Sequence, residues 1–580
     1  MVTKLKRFKV APLQMTGLKL LLSYQRGWLR GDVLAGMTVA AYLIPQCMAY
    51  GELAGVEPVV GLWAILPPML IYAVLGSSPQ LSVGPESTTA VMTAAAIAPL
   101  VATDGSNYAS LASLLAFLVG LICIVGSVAQ LGFLADLLSK PILIGYMAGV
   151  AVIMIAGQLG KIGGFPIEAN TVYGQVGEFF SKLDQIHFPT FILAVVVLGF
   201  LFTVQRRFPT SPGPLLAVLA TTAAVALLHL DQQGVAVVGE IPAGLPHLAL
   251  PQLPLQELLP LVASAIGIAI VGYSDNVLTA RAFATRNRYK IDANQELLAL
   301  GASNLGNGFI QGFPVSSSGS RTVIGDSLGS KTQLFSLVAF VVVILVLLFL
   351  RPVLALFPKA ALGAIVIYAA TKLIEIPEFI RLYQFRRSEL ILALITTVGV
   401  LATDILVGVG VAVGLSVIDL FARVARPHDA VLGEVPGLPG LHDIEDWEGA
   451  TTIPGLVLYR YDAPLCFANV EDFKRRVLEA IEAETSPVEW LVLNTEAIVE
   501  LDITAVDMLE ELRNELANRR ITFAMTRVKR DLYHQLQRSG LLSKMGPEHI
   551  YLTIHTAVAG FEARHQQFSE KIEQKDKSEA

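Results

Sequence analysis

Up to about Arg426 the chain alternates long apolar runs with short polar connections. Beyond it the apolar runs shrink and sit between amphipathic stretches. Crossing the hydrocarbon of a bilayer takes roughly 20 apolar helical residues. About fourteen stretches approach that length, near 34–50, 59–75, 84–102, 109–131, 141–159, 189–205, 212–229, 258–279, 294–310, 315–325, 333–350, 359–372, 389–403 and 404–423. The last two are one continuous run cut in two, whereas 84–102 and 315–325 are each short or interrupted. From Gly455 the segments GLVLYRYDAPLCFAN, EDFKRRVLEAIEAE, VEWLVLNTEAI, ITAVDMLEELRNELANRR and ITFAMTRV alternate short apolar strands with amphipathic helices. The pattern predicts an all-α polytopic membrane domain followed by a small α/β domain. The expected division is an N-terminal segment 1–33, a transmembrane domain 34–426, a linker 427–454, the α/β domain 455–566 and a polar tail 567–580.

Composition agrees with the pattern. Of 580 residues 54% are hydrophobic and only 16% charged, with a mean hydropathy of +0.60, against about 25% charged residues in soluble domains. The net charge of −6 identifies no partner, and no basic tract, zinc-ligand spacing or stacking-aromatic cluster points to nucleic acid. Cys47, Cys123 and Cys466 lie far apart and read as small core residues. The basic start MVTKLKRFKV is followed by the polar stretch Ser23 to Asp32, where a signal peptide would have its apolar run. No cofactor is expected.

Charge in the connections orients the spans. Lys140, Arg206, Arg207, Arg281, Arg286, Arg288, Lys290, Arg381, Arg386, Arg387, Arg423 and Arg426 all follow even-numbered spans, while the connection Asp231 to Gln256 has neither Lys nor Arg. Positively charged loops stay in the cytoplasm, so both termini are expected there, in the cell's inner membrane. Lys161, Lys182, Arg351 and Lys359 fall on the opposite side.

Two broken spans match each other. The third reads LSVGPESTTAVMTA and the tenth GFPVSSSGSRTVIG. Each has Gly and Pro, then small polar residues, then a resumed apolar helix. Proline suits the first helical turn, where its missing N–H had no partner anyway, so each segment predicts a half-helix starting at mid-membrane after extended backbone. Such backbone is tolerated at membrane depth only where it is buried in protein or lines a cavity. A half-helix N-terminus presents free N–H groups and about half a positive charge, suited to an anion. Spans three and ten are separated by seven, so two seven-span repeats of opposite orientation would bring these termini face to face.

Ionisable groups inside spans cost about 2.5–3.5 kcal/mol by insertion scales and are functional candidates. Asp275 lies in span eight, with Thr279 one turn on. Glu86 opens the broken span three; as a free carboxylate it would repel an anion, so it is either protonated or turned into a helix cap. Arg321 in the tenth span is expected to pair with a dianion or to neutralise Asp275. Gln46 and Tyr50 share a face of span one, and Glu52 follows at its end. The tail carries no phosphate loop, triad or metal cluster, so a regulatory module is expected there, not an enzyme. Asp502 and Thr504 precede a helix, with Thr504 a candidate cap or modification site.

The segments GDVLAGMTVAAYLIPQCMAYGELAG, GPES and GFPVSSSGSRT, with the tail, resemble the SulP family of anion permeases, whose tail is a STAS domain. The resemblance spans residues 25–565 and is closest to bacterial sulfate-type members. It implies the seven-plus-seven inverted repeat, core and gate subdomains, homodimers and elevator-like alternating access. It places Gln46, Tyr50, Pro85, Glu86, Ser318, Ser320 and Arg321 at the anion pocket. Asp275 and Thr279 match the cation-coordinating pair of sodium-coupled bicarbonate members, with Ser317, Ser318 and Gly319 at the backbone part of that site. Those members lack a residue like Glu86 and have a Gly/Ala-rich stretch in place of the serines. The expected function is therefore secondary transport of sulfate coupled to H⁺ or Na⁺, with bicarbonate or a dicarboxylate, or a channel or sensor role, as alternatives.

Overall fold

The computed structural model describes residues 16–104, 108–136, 139–169, 171–242, 244–251, 258–403 and 405–565. The expected polar tail 567–580 lies outside them. The chain divides into two compact units, Met1–Ser416 and Val417–Ala580.

A helix coincides with each of the fourteen apolar stretches, the last, Ile405–Ala425, running past Ser416. Among the described residues seven, from Arg26–Leu53 to Lys359–Phe385, are individually long and apolar enough to cross a membrane, and three shorter apolar helices accompany them. The first span begins at Leu29, ahead of the expected 34, because Asp32 is buried inside the protein. Its carboxylate accepts from the backbone N–H of Lys331 and Thr332, from Thr332 Oγ1 and from Tyr24 OH. A carboxylate so satisfied can sit at a helix start without an ion partner.

Helices Tyr108–Val128 and Ala293–Phe309 cross at Gly120 and Gly301. A Cβ on Gly120 would fall 2.7 Å from the Gly301 carbonyl oxygen, and one on Gly301 2.9 Å from that of Gly120. Small residues permit this close approach, which lipid-embedded helices rely on because no hydrophobic gain separates protein from lipid.

The two broken spans do contain extended backbone before each half-helix. β1 (Val83–Gly84) pairs antiparallel with β2 (Ser316–Ser317), and Ser318 N–H donates to the Ser82 carbonyl at 2.8 Å. The irregular backbone of one break thus satisfies that of the other, as burial away from water demands. Half-helices Ser87–Asp104 and Gly319–Ser327 leave this two-stranded ladder.

The second unit holds a six-stranded sheet of order β4-β3-β5-β6-β7-β8: β3 (Asp429–Glu434), β4 (Leu441–Asp443), β5 (Leu456–Tyr461), β6 (Trp490–Asn494), β7 (Thr522–Thr526) and β8 (Ile550–Tyr551). β5 to β8 are parallel, and β3 runs antiparallel to β5. The stretch 427–454, expected to be a linker, therefore supplies two strands of the sheet. Their signal is short: Ala430 and Leu432 alternate inward over a few residues.

Candidate functional site

The elements just described enclose a cavity of about 780 Å³. One wall is the helix Leu29–Leu53, which presents Tyr42, Gln46 and Tyr50, successive residues four apart and hence on one face. A second wall is Leu258–Asn287, with Asp275 and Thr279 one turn apart. The two half-helix beginnings contribute Glu86, Ser87 and Thr88 on one side and Ser317, Ser318, Gly319 and Ser320 on the other. Exposed Lys140, Lys372 and Glu375 lie where the cavity reaches the arginine-rich end of the bundle.

The half-helix ends differ. Glu86 caps its own helix: Oε2 accepts the Thr88 N–H at 2.8 Å, and Oε1 accepts Ser87 Oγ–H at 2.8 Å. Glu86 thus caps its helix as expected, while still lining the cavity instead of pointing away from it. Ser318, the N-cap of Gly319–Ser327, makes no side-chain cap bond. Its Oγ instead lies 3.2 Å from Ser320 Oγ. Gly319 and Ser320 are exposed to the cavity, and a Cβ on Gly319 would meet nothing within 4 Å. This second terminus offers hydroxyl donors and the positive end of a helix to open space.

Asp275 is half-buried and accepts from Ser317 Oγ at 3.2 Å. Its carboxylate, the Thr279 hydroxyl and the β2 backbone form an oxygen-rich corner suited to a proton or a hard monovalent cation. Arg321 does not pair with it.

Arg321 and Pro85 do not line the cavity. Arg321 is fully buried; Nη1 donates to the Pro85 carbonyl at 2.8 Å and to Gln46 Oε1 at 3.2 Å, and Nε donates to Ser82 Oγ at 3.2 Å. Helical geometry explains the difference from a direct anion contact: Ser318 and Ser320 face the cavity, and Arg321 turns toward β1. There the Pro85 carbonyl, at the mouth of a broken helix, would otherwise lack a donor. Gly84 makes room, since a Cβ there would fall 1.9 Å from Ile65 Cδ1 and 3.3 Å from Arg321 Nη2. Gln46 passes the link on, donating through Nε2 to Tyr50 OH at 3.0 Å.

Sequence reasoning passed over Tyr42, Thr88, Tyr368 and the lysines at the mouth; the four-residue repeat through Gln46 and Tyr50 pointed to Tyr42. It also passed over Glu296, fully buried, which accepts from Tyr72 OH, Ser77 N–H and Oγ, and Asn276 Nδ2. This carboxylate is outside the cavity and ties Asp275's neighbour to the turn before β1. In the second unit Asp502 caps helix Ile503–Asn518 by accepting the Ala505 N–H at 2.8 Å, so the exposed Thr504 is not the cap.

Comparison with known proteins extends this geometry. The sulfate permease family matches residues 29–396, and the STAS domain matches 449–557. The chain belongs to the sulfate permease family. It is 54% identical over 541 residues to a probable sulfate transporter of Mycobacterium tuberculosis, covering 93% of this chain and 97% of the relative. Its fold matches that of the murine solute carrier 26 family member A9 anion transporter in the inward-facing state, with a TM-score of 0.87 at 23% identity over 97% of this chain and 96% of that one. The transmembrane domain of a cyanobacterial bicarbonate transporter superposes with a TM-score of 0.59 at 24% identity, covering 68% of this chain and 98% of that one. The permease is thus a multi-pass membrane protein of an anion-transporting family, with relatives named as transporters and not enzymes, and its C-terminal unit is a STAS domain.

Proposed function

We propose that this permease is a secondary carrier of a small oxyanion, sulfate first, across the cell's inner membrane. Both termini are cytoplasmic, and H⁺ or Na⁺ is taken up at Asp275. The observation that carries the reading is the uncapped terminus at Ser318–Ser320, open to a cavity and facing a half-helix already capped by Glu86. The anion sits against Ser318 and Ser320, with Gln46 and Tyr50 as neutral hydrogen-bonding walls and Arg321 holding Gln46 in place. Asp275, with Thr279, Ser317 and Gly319, forms the coupling-ion corner beside it.

Sulfate is a dianion, and an inside-negative potential opposes its entry by about 2.3 kcal/mol per charge per 100 mV. Accumulation therefore requires co-transported positive charge, and a carboxylate within reach of the anion can supply it by binding a cation. A carrier is favoured over a channel because a second cavity at the other end of the bundle, lined by Glu52, Lys161 and Lys359 among others, shares no residue with the first. The STAS domain is a regulatory module, and the transport unit acts as a homodimer.

The test is uptake by purified protein in liposomes under imposed H⁺ and Na⁺ gradients, with labelled sulfate and labelled bicarbonate. Saturable, trans-stimulated sulfate accumulation driven by one gradient supports the reading. Bicarbonate accumulation without sulfate moves the substrate to the bicarbonate alternative. Unsaturable flux would make the protein a channel, and binding without flux a sensor.

A further inference from the structure

Two of the three lysines that break the charge bias of the loops converge. Lys161 and Lys359 lie far apart in sequence, yet both line one cavity of about 570 Å³, together with Glu52, Gly157, Thr190 and Gly234. This cavity is at the opposite end from the Ser318–Ser320 site. The 24-residue helix Lys140–Gly163 is roughly 36 Å long at 1.5 Å per residue, and it carries Lys140 at the mouth of the first cavity and Lys161 in the second. Helix Lys359–Leu373 does the same with Lys372 and Lys359.

Among the described residues the charged side chains lining this cavity are two lysines and one glutamate. Lys161 Nζ contacts Glu52 Oε1 at 3.1 Å, with both side chains largely buried. Glu52 Oε2 is buried without a hydrogen-bond partner, a costly condition that calls for a reason. Lys359 is half-buried at the first turn of its helix, so the positive helix end adds to its charge. On the helix that carries Lys161, a Cβ at Gly157, one turn before it, would meet nothing within 4 Å, so this position of the cavity lining is open. His187 is not free to compete for an anion: Nδ1 lies 2.7 Å from Thr190 Oγ1 and Nε2 2.9 Å from the Gln233 carbonyl.

A cleft with an excess of one charge and low-dielectric walls concentrates the opposite ion. We propose that this cavity is a second, outward-side loading site for the small oxyanion, in which the anion displaces the Glu52 carboxylate from Lys161 and is held by Lys161 and Lys359. Glu52 is the built-in competitor: it neutralises Lys161 when no anion is bound and is released when one is. The outward assignment and the choice of sulfate as probe rest on the proposed function; the site itself does not.

The test uses the full-length protein in right-side-out vesicles, with labelled sulfate measured as uptake and, from loaded vesicles, as efflux. Lys161→Gln raises the apparent KM for uptake about tenfold and Lys359→Gln about threefold, as loss of a charge-assisted contact predicts. Glu52→Gln lowers it about threefold, and the KM for efflux stays unchanged in all three. The opposite signs are decisive. If the pair were only a structural latch, Lys161→Gln and Glu52→Gln would shift KM the same way, and that result, or no shift in any variant, overturns the proposal. A second measurement needs no transport: labelling of Gly157→Cys by an anionic methanethiosulfonate, in a background with Cys47, Cys123 and Cys466 replaced. Millimolar sulfate slows the labelling, and this protection disappears with Lys161→Gln. Protection without uptake refutes sulfate transport but leaves the site standing; uptake without protection refutes the site.

Discussion

The half-helices Ser87–Asp104 and Gly319–Ser327 are built from the same local plan of glycine, proline, small polar residues and resumed helix, yet they end as chemical opposites. The first brings its own anion, because Glu86 occupies the N–H of Thr88. The second has no side-chain cap and faces the cavity with Ser318, Gly319 and Ser320. Pseudo-symmetry of the backbone is therefore not symmetry of charge. A helix terminus neutralised from within loses most of its attraction for a ligand, and for that reason the proposed function puts the anion at the second terminus with Glu86 opposing it. Arg321 sits on the second half-helix but serves the first, donating to the Pro85 carbonyl.

The largest test of this contrast is Arg321→Ala. It leaves the Pro85 carbonyl, Gln46 Oε1 and Ser82 Oγ without their donor in a buried site, which costs about 3 kcal/mol. The thermal midpoint of the purified protein should fall, with sulfate affinity lost along with the fold of the site. A normal midpoint with only a raised KM would return Arg321 to direct anion contact. Arg321→Lys should fail to rescue, because an ammonium cannot span three acceptors as a guanidinium does.

Next comes Asp275→Asn, which keeps the shape but fixes the neutral state. Gradient-driven sulfate accumulation should fall at least tenfold, about 1.4 kcal/mol in coupling, while equilibrium sulfate binding persists. Intact accumulation would move the coupling role to Glu86 and with it erase the asymmetry between the two ends. Ser318→Ala removes one hydroxyl donor from the open terminus and should weaken sulfate binding about fivefold, in line with a hydrogen bond to a charged group. The smallest effect belongs to Glu86→Gln. The amide oxygen still accepts the Thr88 N–H, so folding is kept, and loss of the repelling charge should tighten sulfate about threefold by equilibrium binding. Weaker binding in Glu86→Gln would mean that Glu86 holds the coupling ion beside the anion, not that it opposes it.

Much of this was readable before any coordinates. The apolar stretches located the long apolar helices of the transport unit, since in lipid the backbone has no alternative to internal hydrogen bonding, but not the short helices Thr16–Leu22, Val172–Ser181 and Ile376–Phe385. The GPES and PVSSSGSR breaks marked both half-helices, because proline followed by small polar residues has few other uses inside an apolar run. Nine of the eleven residues expected at the two sites line the cavity. The exceptions, Pro85 and Arg321, were near it in sequence but are turned away. The strands at Asp429–Glu434 and Leu441–Asp443 were hidden because a strand this short leaves only one or two inward residues to betray its period.

Local chemistry in the sequence determined what each segment is: which runs cross the membrane, where two of them break, and that a carboxylate and a serine run lie at the breaks. Those properties depend on neighbours a few residues away and on the solvent around them. The tertiary structure alone decided who partners whom. It sent Glu86 to its own helix and Arg321 across β1 and β2, and it gathered Lys161 and Lys359 from distant helices around Glu52. The Glu86 cap is a local outcome that turns on side-chain direction, whereas the Arg321 and Lys161–Lys359 placements rest on contacts between segments one hundred residues or more apart, which no local pattern encodes.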